Sequence, residues 1–446
     1  MLTNPFWKSV VELENRNGIL YFDGCDVRQL AEQFGTPLYV YSQNRIQSNY
    51  RRLVEAYRSH YPNFQVYYAV KANNNPAIVR ILGEEGAGAD ASCIPEILIA
   101  KRSGIPPEKI LYSGVYNANR DLEYAVENHV RLNLEDLSQL DRLASISIPE
   151  SLCFRINPGL GGSGAEGLIF AGPDAKFGII ERDVEHAYAK AKKLGIKRFG
   201  IHMMTGSNIL SPDYFEDVVE KLLDIAGPIS QKLGISFDFI DIGGSLGVPY
   251  RPEDKEIDID EVAGRVVKKL REKLDAYQMG QPQLIHEPGR YLVSDAGILI
   301  THVTSIKNGY KKFIGLDAGM HTLLRPALYG AYHHILYAND LNAENDQSMN
   351  VVGQVCENSD IFAKDRLLSS KITVDDLLVF LNTGAYGYCM SSQYNSQPKA
   401  AEVLVNKGQA ALIRERETIR LFCGKAADAH GALTKSTRAM SPSFTV

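Results

Sequence analysis

The feature that most constrains the fold is an alternation of short apolar runs and amphipathic segments between residues 65 and 287. The amphipathic segments have helical spacing, as in residues 211–234, where apolar side chains recur at i, i+3, i+4 and i+7. Strands that alternate with helices favour a closed (β/α)8 barrel over an open doubly wound sheet. The eight predicted strands cover residues 65–70, 86–91, 109–113, 130–134, 152–157, 198–203, 237–242 and 283–287.

A different pattern begins near residue 297, where strand-like runs are joined by polar turns and helical periodicity is scarce. The N-terminal segment "ILYFDG…TPLYVYS" has the same character. We therefore predict a β-rich domain made of residues 1–43 and 297–446, with the barrel at 44–296 inserted between them. Residues 425–446 are small and polar, which predicts a flexible tail.

Composition excludes several classes of function. A net charge of -5 provides no basic surface for nucleic acid, and no run of 18 apolar residues is present to span a membrane. The N-terminus lacks the apolar segment of a signal peptide. Six cysteines without a C-x-x-C pair indicate reduced thiols and argue against a structural metal site. We therefore expect a cytoplasmic enzyme without a metal, nucleic-acid or membrane partner.

Polar residues follow four of the predicted strands, at the end where barrel enzymes have their catalytic groups. Lys71 follows the first strand, His202 ends the sixth, and Glu287 ends the eighth. A glycine-rich loop, "DIGGSLGVPY", follows the seventh. A solvated lysine or a structural ion pair would explain each residue alone. Their common position favours a site.

The chemistry of these groups is complementary. A lysine beside an apolar wall, with a lowered pKa, can form an imine with an aldehyde. The glycine-rich loop can cradle a phosphate, to which Arg290 can add a charged donor. A carboxylate such as Glu287, facing a pyridine nitrogen, keeps that nitrogen protonated. Together these groups predict pyridoxal 5'-phosphate as the cofactor.

Longer motifs point to a family. They include "YYAVKAN", "EPGR", "DAGM…LLRPALYGAYHHI", "GQVCENSDIFAKDR" and "GAYGYCMSSQYNSQPKAAEVLV". With them the chain resembles the fold type III pyridoxal-phosphate-dependent decarboxylases, the ornithine, diaminopimelate and arginine decarboxylase family, over residues 20–412. The likeness is strongest to the diaminopimelate branch. The family combines a barrel with a β-domain built from both chain ends, in agreement with the pattern above.

The resemblance implies roles for individual residues. Lys71 would carry the cofactor as a Schiff base, Glu287 would face the pyridine nitrogen, and His202 would belong to the same catalytic group. The implied cofactor contacts are Lys71, Met204, Ser207, Gly243, Gly244, Glu287, Gly289, Arg290 and Tyr386. The implied contacts to the substrate are Arg290, Arg325, Tyr329, Glu357 and Tyr386.

The resemblance also implies a head-to-tail homodimer with active sites shared across the interface. Cys356 and Glu357 would then reach the site of the partner chain, where Cys356 would donate a proton during the reaction. The implied reaction is decarboxylation of meso-2,6-diaminopimelate to L-lysine and CO2. Glu357 is a carboxylate suited to a distal ammonium group of such a substrate.

Three positions depart from the family pattern. Met204 stands where a histidine usually stacks on the ring, Ser245 replaces a third glycine, and "SCIPE", ending at Glu96, replaces "SGGE". These changes leave two alternatives open. One is a paralogue acting on another amino acid, such as a siderophore or antibiotic precursor or an ornithine- or lysine-like substrate. The other is an inactive regulatory paralogue. A racemase is disfavoured, because alanine racemases place an arginine at the ring nitrogen.

Overall fold

The computed structural model of the protein describes residues 12–159 and 169–419. The predicted flexible tail at 425–446 lies outside the described residues. The chain enters the barrel through a short antiparallel sheet, one further strand and two helices. These elements are β1 (Leu13–Arg16), β2 (Ile19–Phe22), β3 (Cys25–Asp26), α1 (Val27–Phe34), β4 (Leu38–Ser42) and α2 (Gln43–His60).

Parallel strands close a barrel in the middle of the chain. Each strand pairs with the next, and the last pairs with the first, so the ring has no open edge. One short strand, β10 (Ile179–Ile180), lies outside the ring and pairs with β9 (Ser151–Asn157). The predicted (β/α)8 barrel is confirmed, with strand ends shifted by one or two residues. The strands are β5 (Phe64–Ala69), β6 (Gly88–Ala91), β7 (Ile110–Tyr112), β8 (Arg131–Leu134), β9 (Ser151–Asn157), β10 (Ile179–Ile180), β11 (Arg198–Met203), β12 (Phe237–Asp241) and β13 (Gln283–His286).

Helices follow the barrel strands, and two of their ends lie where the sequence indicates. Asn75 caps the first of them by accepting from the Ala77 N–H at 3.0 Å, and Pro76 lies in its first turn. Gly234 ends the longest one in a left-handed conformation, with φ 58° and ψ 48°. The helices are α3 (Pro76–Glu84), α4 (Ile94–Arg102), α5 (Asn119–Glu127), α6 (Leu137–Ile146), α7 (Glu181–Lys193), α8 (Pro212–Leu233), α9 (Ile259–Tyr277) and α10 (Arg290–Val293).

Side chains fill the interior of the barrel. Tyr67, Leu111, Cys153, Phe239 and Ile285 form one buried cluster. Gly200 on β11 makes room for it, since a Cβ there would approach the Phe239 ring to 2.0 Å. Because the barrel centre is solid, only its ends offer space for a ligand.

The second sheet joins the two ends of the chain. Strand β4 pairs antiparallel with β14 and parallel with β20, so an N-terminal strand lies inside a sheet of C-terminal strands. The predicted β-rich domain completed by the N-terminal segment is confirmed as an architecture. Its elements are β14 (Gly297–Asn308), β15 (Lys312–Leu316), α11 (Arg325–Tyr329), β16 (Ile335–Tyr337), β17 (Gln347–Val352), β18 (Ile361–Leu368), β19 (Leu377–Phe380), β20 (Ala401–Asn406) and β21 (Gln409–Arg414).

The helices that the structure describes are too short or too polar for a membrane span. Across residues 12–159 and 169–419, none of them is both long enough and apolar enough to cross a bilayer.

Candidate active site

A cavity of about 230 Å³ opens at the carboxyl ends of the barrel strands. It collects most of the residues that the sequence predicts for the site. Gly243 lies directly behind it, next to Gly244. The cavity is lined, among others, by Lys71, Asp90, Ser113, Arg155, Phe170, Phe177, His202, Met204, Ser207, Gly244, Ser245, Glu287, Gly289, Arg290 and Tyr386.

Lys71 lies in a single 3-10 turn, Val70–Ala72, directly after β5. The amide N–H of Tyr386 donates to the Ala72 carbonyl at 2.8 Å, so the β-rich domain holds this turn in place. The Lys71 ammonium pairs with the carboxylate of Asp90 at the edge of the cavity. Lys71 is therefore fixed at the barrel mouth, with its amine toward the space for a ligand.

The predicted lowering of the Lys71 pKa is wrong. The surrounding protein atoms disfavour the charge, but Asp90 and Glu287 outweigh them, and the pKa of Lys71 is raised. Burial and Glu287 in turn raise the pKa of Asp90 to about 6, against the opposing effect of Lys71. The neighbours of the amine are carboxylates rather than an apolar wall. Lys71 is thus held as an ammonium, and Asp90 is the nearest group that can accept its proton.

Asp90 was missed by the sequence reasoning. It lies in β6, the strand whose sequence, "GAGADA", gives the weakest strand signal because small residues pack little. Its side chain is completely buried. An isolated carboxylate at the carboxyl end of a strand of small residues is the signal that could have found it.

Glu287, directly after β13, lies at the floor of the cavity among other polar groups. Its Oε2 is 3.2 Å from His202 Nε2. The side-chain amide of Asn133 lies 2.8 Å from His202 Nδ1 and can donate to it, which places the histidine proton on Nε2, facing Glu287. Burial raises the pKa of Glu287, but His202 and Lys71 lower it more, to about 2. Glu287 is therefore an anion.

Asp241, the last residue of β12, completes this floor. Its Oδ1 accepts the Gly243 N–H at 2.9 Å. A ring nitrogen of His202 and one carboxylate oxygen each of Asp241 and Glu287 lie within 4.8 Å of one another. Burial and the charge of Glu287 raise the pKa of Asp241 well above its usual range. The sequence reasoning did not single out Asp241, although it opens the quoted glycine-rich motif.

The glycines at the cavity pack closely against the backbone and side chains of adjacent loops. Gly243 has φ 67°, a conformation that favours glycine, and its carbonyl accepts the Glu287 N–H at 2.7 Å. A Cβ on Gly244 would lie 2.5 Å from the Glu287 carbonyl oxygen. A Cβ on Gly289 would lie 2.8 Å from the Ala72 Cβ. These positions have no room for a side chain, so the backbone amide groups of the loops can come close to a bound anion.

His286 also holds this loop, and it gives a prediction for stability. It is fully buried, its Nδ1 lies 2.6 Å from the Gly243 carbonyl oxygen, and burial lowers its pKa to about 4. Because the pKa of His286 is lower in the folded protein than in the unfolded chain, where it is about 6.5, protonation favours the unfolded chain. The folded protein therefore has its full stability above about pH 6.5 and loses stability as the pH falls toward 4. When the pH is lowered from about 7 to about 5, protonation of His286 should decrease the free energy of unfolding of the wild type by about 2 kcal/mol.

The control for this pH-dependent decrease in stability is the variant His286→Gln, whose side chain keeps an N–H donor but does not titrate. Denaturant unfolding at both pH values should show that the wild type loses about 2 kcal/mol more than the variant. Parallel pH curves would mean that His286 is charged, or solvated, in the folded protein.

Two of the departures from the family pattern contact each other. The Met204 sulfur accepts the Gly244 N–H at 3.2 Å and lies 3.7 Å from the Ser245 hydroxyl. Ser245 also donates to the Gly206 carbonyl at 2.9 Å. The methionine and the serine therefore form one local arrangement that holds the thioether at the cavity wall. In the third departure, Glu96 accepts the N–H of Ser92 at 2.6 Å.

Arg290 is held by aromatic and hydroxyl groups. Its Nη1 donates to the Tyr250 hydroxyl at 2.5 Å, its Nη2 is 3.4 Å from Ser207 Oγ, and its guanidinium lies 5.0 Å from the centre of the Tyr386 ring. Tyr250 is the last residue of the glycine-rich motif, and the sequence reasoning predicted no role for it. Its ring also contacts the Arg325 guanidinium at 4.8 Å. Tyr250 thus connects the two predicted arginines.

The remaining predicted residues do not line this cavity within one chain. Arg325 is 1% exposed and lies behind Tyr250, and Tyr329 is half-buried. Cys356 and Glu357 are exposed on a loop of the β-rich domain. Glu357 Oε2 accepts the Tyr394 hydroxyl at 3.2 Å. The structure therefore separates these four residues from Lys71 in a single chain.

The cavity fits pyridoxal phosphate. Lys71 supplies the amine for the aldehyde, and the glycine loops with Arg290 supply donors for the phosphate. Among the described residues, Glu287 Oε1 is buried without a hydrogen-bond partner. A carboxylate oxygen can accept two hydrogen bonds, so Oε1 has room for a protonated ring nitrogen as one of its donors.

Comparisons with known proteins agree with this geometry. A family model described as the pyridoxal-binding domain of pyridoxal-dependent decarboxylases matches residues 47–294. A diaminopimelate decarboxylase of Methanothermobacter thermautotrophicus is 48% identical over 406 residues, 91% of this chain and 94% of its own. One of Aquifex aeolicus is 40% identical over 412 residues, 91% and 95% of the two chains. The solved structure of diaminopimelate decarboxylase from M. jannaschii in complex with L-lysine has a TM-score of 0.87 and 32% identity, covering 96% of this chain and 100% of that one.

Proposed function

The chain belongs to the family of pyridoxal-dependent decarboxylases, and we propose that it converts meso-2,6-diaminopimelate to L-lysine and CO2. The observation that carries this proposal is the cavity itself, which brings Lys71, Glu287, the glycine loops and Arg290 together at one end of the barrel. The similarity to several diaminopimelate decarboxylases supports the substrate. The cofactor is pyridoxal phosphate.

The residues of the cavity have separable tasks. Pyridoxal phosphate, when bound, supplies an aldehyde for the amino group and a protonated ring that accepts the electrons of the broken bond. Lys71 holds the cofactor, and Glu287 holds the proton at the ring nitrogen. The loops at Gly244 and Gly289 orient the phosphate together with Arg290. Phe170 and Phe177 line the cavity and exclude water from it.

The test is a comparison of substrates. Purified protein supplied with pyridoxal phosphate should release CO2 and form L-lysine from meso-diaminopimelate, with much lower rates on ornithine, arginine and lysine. The contact between Met204 and Ser245 makes this panel necessary, because both departures lie at the cofactor cavity. Preferential release of CO2 from another amino acid would keep the reaction and replace the substrate.

We also propose a head-to-tail homodimer in which Cys356 and Glu357 complete the partner's site. Both residues are exposed and neither lines the cavity of its own chain, which supports this arrangement. A barrel domain at residues 44–296 is supported by the family match at 47–294. Free, scattered cysteines support a reducing cytoplasm as the location.

Mixing two inactive variants tests the shared site. Lys71→Ala and Cys356→Ala should each have little activity as pure dimers. After subunit exchange, half of the dimers contain one chain of each kind, and such a dimer has one intact site of two. Activity should therefore rise to about a quarter of wild type. No gain above the parent variants, in a sample whose subunits have exchanged, would mean that each chain uses its own Cys356 or none.

A further inference from the structure

We propose that Asp241 is a neutral carboxylic acid that donates its proton to Glu287 and thereby positions that carboxylate. The proposal rests on the proposed function, in which Glu287 faces the ring nitrogen of the cofactor. It adds a residue that touches neither substrate nor cofactor. Asp241 is accordingly a positioning residue rather than a catalytic one.

Each of the two carboxyl groups has one oxygen that no other donor reaches within the described residues. Asp241 is fully buried and uses Oδ1 to accept the Gly243 N–H at 2.9 Å. Within the described chain, Asp241 Oδ2 and Glu287 Oε1 are both buried and find no partner elsewhere. One oxygen of each carboxyl group lies within 4.8 Å of an oxygen of the other, so their charges act on each other. One proton between them satisfies the pair, whereas two buried negative charges in contact would repel each other strongly.

The surrounding charges decide which carboxyl holds the proton. Lys71 and the Nε2–H of His202 both favour a charged Glu287. The Gly243 N–H favours a charged Asp241, but burial, Glu287 and Asp90 oppose it. The proton therefore belongs on Asp241. The titratable groups that face the pair include Lys71, Asp90, His202, His286, Tyr67 and Cys153.

The consequence for Glu287 is a fixed charge and a fixed orientation. It accepts from Asp241 on one side and from His202 on the other, so its carboxylate is a weak base. A weak base leaves the proton of a facing pyridine nitrogen on the nitrogen. Asp241 thus supports the electron-accepting state of the cofactor without contact to it.

The first experiment detects the proton itself in the cofactor-free protein. The infrared spectrum of protein with carboxyl-labelled aspartate should contain a protonated aspartic acid band above about pH 8, where Asp90 is ionised. Asp241→Asn should remove the band, and Asp90→Asn should leave it. A spectrum without the band, or a band that persists in Asp241→Asn, would overturn the proposal. A divalent cation bound in stoichiometric amount would overturn it too, since a cation would keep Asp241 ionised.

The second experiment uses two variants of the holoenzyme. Asp241→Asn mimics the neutral acid, because its amide can accept from Gly243 and donate to Glu287. It should keep kcat/KM within about threefold of wild type, with an unchanged pH profile. Asp241→Ala should lose at least about tenfold, with a shifted pH dependence of the cofactor absorbance. Equal losses in both variants would show that the charge of Asp241 is needed, and would refute the neutral acid.

The two experiments separate this proposal from the substrate proposal. If the protein releases no CO2 from diaminopimelate, the infrared band and the pH titration of bound cofactor still report on Asp241. If Asp241→Ala does not fold, the isosteric Asp241→Asn and the labelled wild type still decide between an acid and a carboxylate.

Discussion

Replacing Lys71 with alanine is expected to lower the rate of CO2 release from diaminopimelate by at least about 10⁴-fold. Lys71 is the amine that lines the cavity at the end of β5, where the β-rich domain fixes its turn through Tyr386. Without it, the cofactor has no covalent attachment and no group to exchange with the substrate. The absorbance of lysine-bound pyridoxal phosphate should disappear as well. Both quantities are measured on protein saturated with the cofactor.

The control for this change is Lys311→Ala. Lys311 pairs with Asp365 on the surface at 2.8 Å, with both side chains more than half exposed, so its loss should leave activity and absorbance unchanged. Equal CO2 release by wild type and Lys71→Ala would sink the mechanism. If Lys71→Ala loses the absorbance band but keeps its activity, the cofactor is attached to Lys71 but this attachment is not needed for catalysis.

Replacing Glu287 with glutamine is expected to lower kcat by about 10²- to 10³-fold. Glutamine keeps the size of the side chain but removes the anion that holds a proton at the ring nitrogen, so the ring accepts electrons less well. The effect belongs to the chemical step, so kcat should fall more than KM rises. Steady-state kinetics on diaminopimelate separates the two constants.

Glu256→Gln is the matched control, because Glu256 pairs with Arg52 at the surface and lies outside the cavity. Cofactor content must also be measured, since Glu287 is buried and its replacement could weaken binding. A variant that binds pyridoxal phosphate normally and turns over at the wild-type rate would falsify the role of Glu287. A loss explained entirely by missing cofactor would give Glu287 a binding role instead.

The sequence could predict whatever depends on local pattern. The barrel strands, the caps of α3 and α8, and the positions of Lys71 and Glu287 at strand ends all follow from periodicity and turn residues. The family resemblance extends this to the order of the domains. These features depend on residues that are close together in the sequence, so they can be predicted from the sequence alone.

What the sequence reasoning missed depends on contacts between separate strands and loops. The sign of the Lys71 pKa shift is set by Asp90 on the adjacent strand, which is distant in the chain. The approach of Asp241 to Glu287 within 4.8 Å requires the pairing of β12 with β13. The link from Arg290 to Tyr250 requires two loops to meet. The surroundings of Cys356 and Glu357 in the proposed dimer involve a second chain, which no reading of one sequence can place.

The position of β4 in the second sheet has a consequence for synthesis on the ribosome. Residues 38–42 emerge early, yet their partners β14 and β20 begin at Gly297 and Ala401. At translation rates of roughly 5–20 residues per second, the strand waits about 13–51 s for the first partner, over about 250 residues of chain. During that interval its backbone is an open edge that other nascent chains could pair with. The barrel can fold first, and its completion would hold the waiting strand beside the place where its partners arrive.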